Sequence, residues 1–589
     1  MSVTKYLNEL LKDTFEKIGY EVEGKLVSLS DRPDLSQFQC NTAFTIAKEN
    51  RKNPREIAGK IVDALREKPI FKDLSVAGPG FINITLNDEF ITNYIRELSK
   101  DSKIRIQTDE HKNILIDYGG ANIAKPLHVG HLRSAIIGEG LKRLSRVLGH
   151  NAIGDVHLGD WGRQMGLVIS EIKHRNPELV YFDEGFQGDY PSESPVTIND
   201  LEEIYPTASI KAKNDPVRLE EAREATAILQ NKHMKGHRGY YALWLHLVRV
   251  SIEDLKESYG KFDVTFELWK GESDTNEIIP EVINIFEEKG LVEESEGALI
   301  VKVEDLESGV ALPPLILRTQ NDSVGYHATE VATIYQRVKD FNLDEIWYVV
   351  DNRQELHFKQ VFSAVSKAGI TPPSLKLRFI GFGTMNGKDG RPFKTRDGGL
   401  MKLSDLSEIV EKEIFDIMKM NNKNEYIEDS RKVAKILANA TIKYADALSY
   451  RTTDYIFDIE KFIATQGKTG SYILYSTVRI NSLLRKAMES GIGLGELKIP
   501  TNEFERSLML SIIKLQDILD TSFDNKSLTE IADYLYELNS AYNNFYSNCK
   551  ILGNSDIEKQ ESWLTLSEIV GNINKILLGI MAIDIPEAM

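Results

Sequence analysis

The chain has 589 residues, 42% hydrophobic and 27% charged, with a formal net charge of −17 at pH 7. That length exceeds one hydrophobic core and predicts roughly three or four domains. The composition excludes a disordered, fibrous or collagen-like chain. No apolar run is long enough to span a bilayer, and the opening MSVTKYLNELLKD does not read as a signal peptide, so a cytoplasmic protein with no membrane contact is expected. The two cysteines, Cys40 and Cys549, stand near opposite ends with no CxxC or histidine partner, which argues against structural zinc and against a disulfide framework. An acidic total is awkward for an RNA-binding protein, which would need a local basic surface.

In chain order, residues 1 to about 107 read as a small α/β module. A helix runs through Lys5 to Ile18, a polar turn covers Asp31 to Asp34, and a helix spans Asn41 to Lys48. A further helix follows Pro54, and VAGPGFINITL reads as a strand after a turn. Next, Ile114 to Tyr118 is a short buried strand, and Ala135 to Leu148 is an amphipathic helix that stops at Gly149. Between them lies ANIAKPLHVGHLRS, Ala121 to Ser134. Pro126 fixes the approach of the chain, Gly130 removes a side chain where a ligand comes close, and the helix start offers unpaired N–H groups at a positive dipole end. Such a corner suits a phosphate, and His128 and His131 can donate hydrogen bonds as charge builds on its oxygens. The alternative is a pair of surface histidines in a polar loop. HLGDWGRQMGLVI, His157 to Ile169, is a second glycine-rich corner, in which Trp161 is either a flat wall for a ligand or core.

From about Glu171 to Lys261 the chain shifts to charged helices, an insertion between two halves of a sheet that resumes at GALIVKV, PLILRT and EIWYVV. In GYHATEVATI, Tyr326 and Glu330 are four apart on one helix face, an aromatic and a carboxylate of the kind a guanidinium binds, or else an ordinary amphipathic helix with an exposed Glu. Gly383 to Gly399, GTMNGKDGRPFKTRDGG, carries Lys388, Arg391, Lys394 and Arg396. It is either a loop that closes over a triphosphate or a solvated basic turn. Beyond Ser404 the strand signals vanish, predicting an all-α domain over 404–589. Lysines and arginines between Arg431 and Lys486, Arg451 and Arg479 among them, alternate with tyrosines such as Tyr472, a mixture suited to unstacked RNA bases.

HVGH within ANIAKPLHVGHLRSA resembles the HIGH motif of class I aminoacyl-tRNA synthetases, and its flanks are similar to those of the arginyl-tRNA synthetases. DLSQFQCNTAFTIAK, YVVDNRQELHFKQVF and the helices around YLYELNSAYNNFYSNCKIL resemble the same family, so the likeness runs through nearly the whole chain. The resemblance implies an arginine–tRNA ligase that uses ATP with Mg²⁺, acts on L-arginine and tRNA(Arg), and works as a monomer. It implies a Rossmann-type parallel-sheet catalytic core over 108–403 with an insertion at about 171–261. A tRNA-elbow-binding module over 1–107 would precede it and an α-helical junction and anticodon-binding bundle would follow. Site roles carried by the resemblance place Asn122 on the substrate α-amino group, Asp160, Trp161, Tyr326, Glu330 and Gln354 around the arginine, and Gly130, His357 and Lys388 around the nucleotide. The family usually has Asp where this chain has Glu330. FKTR stands where class I enzymes carry KMSKS, and some arginyl enzymes share that departure together with a lysine ahead of the histidines. Lys125, Lys394 and Arg396 are therefore expected to share phosphate binding with His128 and His131. Gln37, Phe38 and Asn41 are the candidates for the tRNA elbow, and Arg451, Tyr472 and Arg479 for the rest of the tRNA. The rival readings are another class I ligase, a small-molecule nucleotidyltransferase and a non-catalytic tRNA-binding paralogue.

Overall fold

The computed structural model describes residues 2–30, 32, 36–100, 104–106, 110–319, 326–391, 393, 401–420 and 430–589, with only the main chain of Tyr326. The N-terminal module is an antiparallel sheet, in the order Val27–Leu29, Phe38–Cys40, Phe81–Leu86, Phe71–Ala77. Helices Val3–Lys17, Thr42–Asn50, Pro54–Leu65 and Asp88–Leu98 accompany it. Their starts follow from the sequence: Ser2, Asn53 and Asn87 cap three of them by accepting main-chain N–H bonds, and Pro54 fills a first-turn position where no N–H is needed.

The central sheet is parallel and four-stranded. Strand β1 is Asn113–Asp117 and β2 is Asn151–Asp155, joined by helix α1, Val129–Val147. Helix α2, Tyr326–Asp340, leads into β3, Glu345–Asp351, and helix α3, Glu355–Lys367, leads on to β4, Lys376–Phe382. The order is β4-β3-β1-β2, with Tyr348 of β3 beside Asp117 of β1. One chain excursion thus leaves β1 toward β2 and the other leaves β3 toward β4. The crevice beyond the carboxyl ends of β1 and β3 is the switch point where open parallel sheets bind ligands.

Two of the strand-like runs do not join this sheet. Ala298–Val301 and Leu315–Arg318 pair antiparallel, with Val292–Ser295, in a separate three-stranded sheet. A β-rich run fixes strand character but not its partner, and a tight turn at Gly297 makes the neighbouring run the nearest edge. Close packing around α1 is set by glycine: a Cβ at Gly138 would lie 2.2 Å from the Tyr118 side chain.

The insertion contributes helices Ile198–Asn214, Pro216–Gln230 and His237–Gly260. Among the described residues beyond 403 the fold is helical apart from Tyr455–Ile456, which pairs in parallel with Met385–Asn386. The C-terminal bundle touches the N-terminal module through Arg506 on Asp88 at 2.5 Å and Thr4 on Asp517 at 2.8 Å. Both cysteines are buried and unpaired, Cys40 in the N-terminal sheet and Cys549 in the bundle. Among the described residues, no helix is long and apolar enough to cross a membrane.

Candidate active site

His128 is the N-cap of α1, and two main-chain N–H groups fix its ring and that of His131. Gly130 N donates to Nδ1 of His128 at 3.0 Å, and His128 N donates to Nδ1 of His131 at 3.1 Å. A main-chain N–H can only donate, so each ring accepts at Nδ1 and carries its proton on Nε2, a donor that the cap leaves unused. The rings lie 3.8 Å apart. Burial, the neighbouring imidazole and the Lys125 ammonium hold His131 down to about 3, and burial with Lys125 lowers His128 as well. The pair is therefore neutral at pH 7 and donates hydrogen bonds without carrying a charge of its own.

A cavity of about 430 Å³ opens at the switch point, lined by Asp117, Asn122, His128, Gly130, His131 and Gln354 among others. Of the residues expected in the site, it brings together Asn122, His128, Gly130, His131 and Gln354. Gly159 makes room for Asn122, whose Oδ1 would lie 2.3 Å from a Cβ at that position. The far wall comes from the segment that enters the basic loop, Phe382 to Met385. Met401 to Leu403, where that loop ends, is zipped onto the histidine corner: Val129 N donates to Met401 O at 3.1 Å and Leu403 N to Leu127 O at 3.0 Å.

A second cluster is acidic. Asp160 is buried and accepts from Ser273 through N at 3.0 Å and Oγ at 2.6 Å. Its carboxylate thus fixes the turn that carries Glu272. Burial, with Asp160 and Glu330 close by, pushes the Glu272 carboxyl up to about 8. Trp161 packs edge-on against Trp244 at 5.2 Å, and its indole N–H is buried without a partner among the described residues. Glu330 is buried on α2, not exposed as in the amphipathic-helix alternative. Crowded, partly desolvated carboxylates beside indole faces are an environment for a cation. Glu272 went unnoticed in the sequence because FELWKGESDT is one of many acidic stretches and nothing local ties it to Asp160 or Glu330.

The remaining candidates stand elsewhere. Lys125 lies outside the cavity lining, its ammonium 5.7 Å from the Tyr205 ring of the insertion. Lys388 is paired with Asp458 at 3.2 Å and Glu460 at 3.1 Å. His357 is half-buried 4.8 Å from His327, and burial lowers it to about 4. The Tyr326 side chain, Lys394 and Arg396 lie outside the described residues.

Among the tRNA candidates, Phe38 is 2% exposed and packs in the N-terminal core, which corrects its reading as a surface contact: its strand turns Phe38 and Cys40 inward. Gln37 is half-buried and accepts from Leu86 N at 2.8 Å, whereas Asn41 is exposed. Arg451 spends its guanidinium on the carbonyls of Gly381 at 2.7 Å and Lys526 at 3.1 Å, tying the sheet to the bundle. Tyr472 accepts from Asn543 at 2.9 Å, and Arg479 lies 4.7 Å from the exposed Tyr475 ring and 5.4 Å from Tyr546.

Comparison with known proteins agrees along the whole length. Residues 94–459, more than half of the chain, match the family model described as tRNA synthetases class I (R), catalytic domain. Residues 2–86 match the arginyl tRNA synthetase N terminal domain, and 473–589 the DALR anticodon binding domain. An arginine–tRNA ligase of Alkaliphilus oremlandii is 46% identical over 590 residues, covering 99% of both chains. One of Agathobacter rectalis is 42% identical, again over 99% of both. The crystal structure of the arginyl-tRNA synthetase of Plasmodium falciparum superposes with a TM-score of 0.83 at 26% identity, covering 100% of this chain and 99% of that one. With a histidine-capped helix at the switch point of a parallel sheet and this likeness end to end, the chain belongs to the arginyl-tRNA synthetases, the class I arginine–tRNA ligases.

Proposed function

We propose that this chain activates L-arginine with ATP and transfers it to the 3′-terminal adenosine of tRNA(Arg), with the phosphates at the histidine corner and the guanidinium in the acidic cluster. The observation that carries the reading is that the catalytic domain holds both environments, a corner of prepared donors and a cluster of crowded carboxyls. Neutral Nε2–H donors stand in the first. Three carboxyls, Asp160, Glu272 and Glu330, influence one another in the second.

The arginine carboxylate attacks the α-phosphorus and pyrophosphate leaves. His128 and His131 donate to phosphate oxygens as their charge grows, and the cap that orients both rings means they need no rearrangement to do so. No side-chain nucleophile is required; positioning supplies much of the rate. Lys125, Lys394 and Arg396 serve the leaving pyrophosphate, with Lys388 and His357 assisting nucleotide binding. Asn122 and Gln354 hold the α-amino group, and Glu272 joins Glu330 and Tyr326 on the guanidinium. Mg²⁺ bound together with the nucleotide would supply neutralisation of phosphate charge. The described acid–histidine group compact enough for a cation, Asp117, Asp155 and His157, already closes on Arg337, whose Nη2 is 2.6 Å from Asp117 and 2.7 Å from Asp155.

Residues 1–107, with Asn41 exposed and Gln37 beside it, would meet the tRNA elbow. Residues 404–589, with Tyr475 and Arg479 on the surface, would bind its anticodon arm, and 108–403 would carry the chemistry. The protein would act in the cytoplasm as a monomer. Aminoacylation of total tRNA with each of the twenty amino acids, together with ATP–pyrophosphate exchange with and without tRNA, tests this. Charging with arginine alone is expected, and charging with a different amino acid, or none, overturns it. Exchange is expected to require tRNA.

A further inference from the structure

The face of α2 that carries Glu330 also carries Thr333 and Arg337, at spacings of three and four. Arg337 is 4% exposed, and it bridges two strands at once. Its Nη2 donates to Asp117 at the end of β1 at 2.6 Å and to Asp155 at the end of β2 at 2.7 Å, while Nη1 reaches the Tyr348 hydroxyl of β3 at 3.2 Å. One guanidinium therefore fixes α2 to three neighbouring strands. The chain leaving β2 also carries the other half of the acidic cluster: Leu158 N donates to Lys270 O at 2.7 Å, and Glu272 N donates to Leu158 O at 3.1 Å. Asp155 thus stands at the root of both Glu330 and Glu272.

Burying one cation against two carboxylates is costly, and replacement of such groups by apolar ones often leaves stability unchanged, so stability alone is a weak reason for the arrangement. A fixed geometry is the better reason. The planar guanidinium reaches two acids and a hydroxyl together, which the single ammonium of a lysine does not reproduce. Arg337 lies seven positions along the helix from Glu330, a rigid span of about 10 Å.

We propose that Arg337 is a positioning residue for the arginine pocket: clamped between Asp117, Asp155 and Tyr348, it sets where α2 presents Glu330 relative to Glu272. This rests on the reading of Glu330 as a guanidinium ligand. The clamp acts on α2, whereas the histidine rings are held by their own cap at the start of α1.

The test uses the full chain in ATP–pyrophosphate exchange with tRNA present, with KM for arginine and KM for ATP measured separately and Tm recorded. Arg337→Lys is expected to raise the arginine KM by about tenfold or more with the ATP KM within about twofold, because only uniform binding of one substrate is lost. Tyr348→Phe, which removes one hydrogen bond and keeps every charge, is expected to shift the arginine KM in the same direction by about threefold. A parallel rise in both KM values, or a fall in Tm with the arginine KM unchanged, overturns the proposal. Should Arg337→Lys fail to fold, Tyr348→Phe decides, and an unchanged arginine KM there refutes the clamp. Glu330→Gln separates the two layers. If it leaves the arginine KM unchanged, the guanidinium reading fails and the clamp with it. If it raises that KM while Arg337→Lys and Tyr348→Phe do not, the clamp alone fails.

Discussion

Two regions of the catalytic domain, the histidine corner and the acidic cluster, solve opposite electrostatic problems with the same device. At the histidine corner, burial and neighbouring positive charge keep two imidazoles neutral, so they meet an anion as pure donors. At the acidic cluster, burial and neighbouring negative charge push carboxyls toward the protonated form, most of all Glu272 at about 8. The difference lies in where the strain is held. The histidine pair is satisfied by its own helix cap and is ready before any ligand arrives. The acids crowd one another, and a cation bound among them, as proposed for the guanidinium, would relieve that crowding.

The sharpest way to break this contrast is His131→Ala. Loss of a prepared donor should lower the rate of adenylate formation by about 10²–10³-fold, and tRNA affinity measured by filter binding should stay within about twofold. Equal loss of both would make the histidine structural. Glu330→Gln comes next. Replacing a desolvated carboxylate that pairs with a guanidinium should raise the arginine KM by roughly 10–100-fold and narrow the preference for arginine over citrulline, an effect of about 1.5–3 kcal/mol.

A smaller effect is expected from Gly138→Ala at the packing contact between α1 and Tyr118. A methyl placed 2.2 Å from that ring must push α1 outward. Overpacking of this kind costs about 1–3 kcal/mol, visible as a fall in Tm. If adenylation suffers while arginine binding does not, the histidine end is the one that depends on α1.

The mildest perturbation is pH. Burial and the neighbouring carboxyls hold the Glu272 proton on the folded, ligand-free protein up to about pH 8, whereas an unfolded chain releases it in the ordinary carboxyl range near 4.5. Between those values the native state binds more protons, so this group makes the empty protein less stable as pH rises from about 4.5 to about 8. On the proposed role of Glu272 at the guanidinium, arginine binding favours the ionised form. Apparent arginine affinity should therefore climb by roughly tenfold from pH 6.5 to 8, with proton release detectable by calorimetry in two buffers of different ionisation enthalpy, and Glu272→Gln should flatten the profile. A flat profile in the unmodified protein would show that the acids are not coupled to the ligand.

The contrast also explains what the sequence could and could not reveal. The histidine corner is local: strand, loop and helix follow one another from Ile114 to Leu148, and proline, glycine and two histidines mark the turn. The acidic cluster is assembled from residues near 160, 272 and 330, and only tertiary packing brings them together. The four-residue spacing of Tyr326 and Glu330 marked Glu330 as a candidate, whereas Glu272 had no such neighbour. Strand pairing is non-local in the same way, which is why Ala298–Val301 and Leu315–Arg318 were recognised as strands but assigned to the wrong sheet. Phe38 is a different case. The alternation Phe38, Gln39, Cys40 carries a period-two signal for an inward-facing aromatic, and the polar residues on either side obscured it.

The burial of both thiols has a practical side. Cys40 and Cys549 are 0% and 5% exposed, and desolvation raises both above the usual thiol range, so neither offers an accessible thiolate to a maleimide. A dye pair attached through two cysteines introduced at exposed positions, one in the N-terminal module and one in the bundle, would report the distance between them against a silent background. The wild-type sequence is thus ready for fluorescence measurements of whether the two outer modules approach each other on tRNA, without first replacing a native residue.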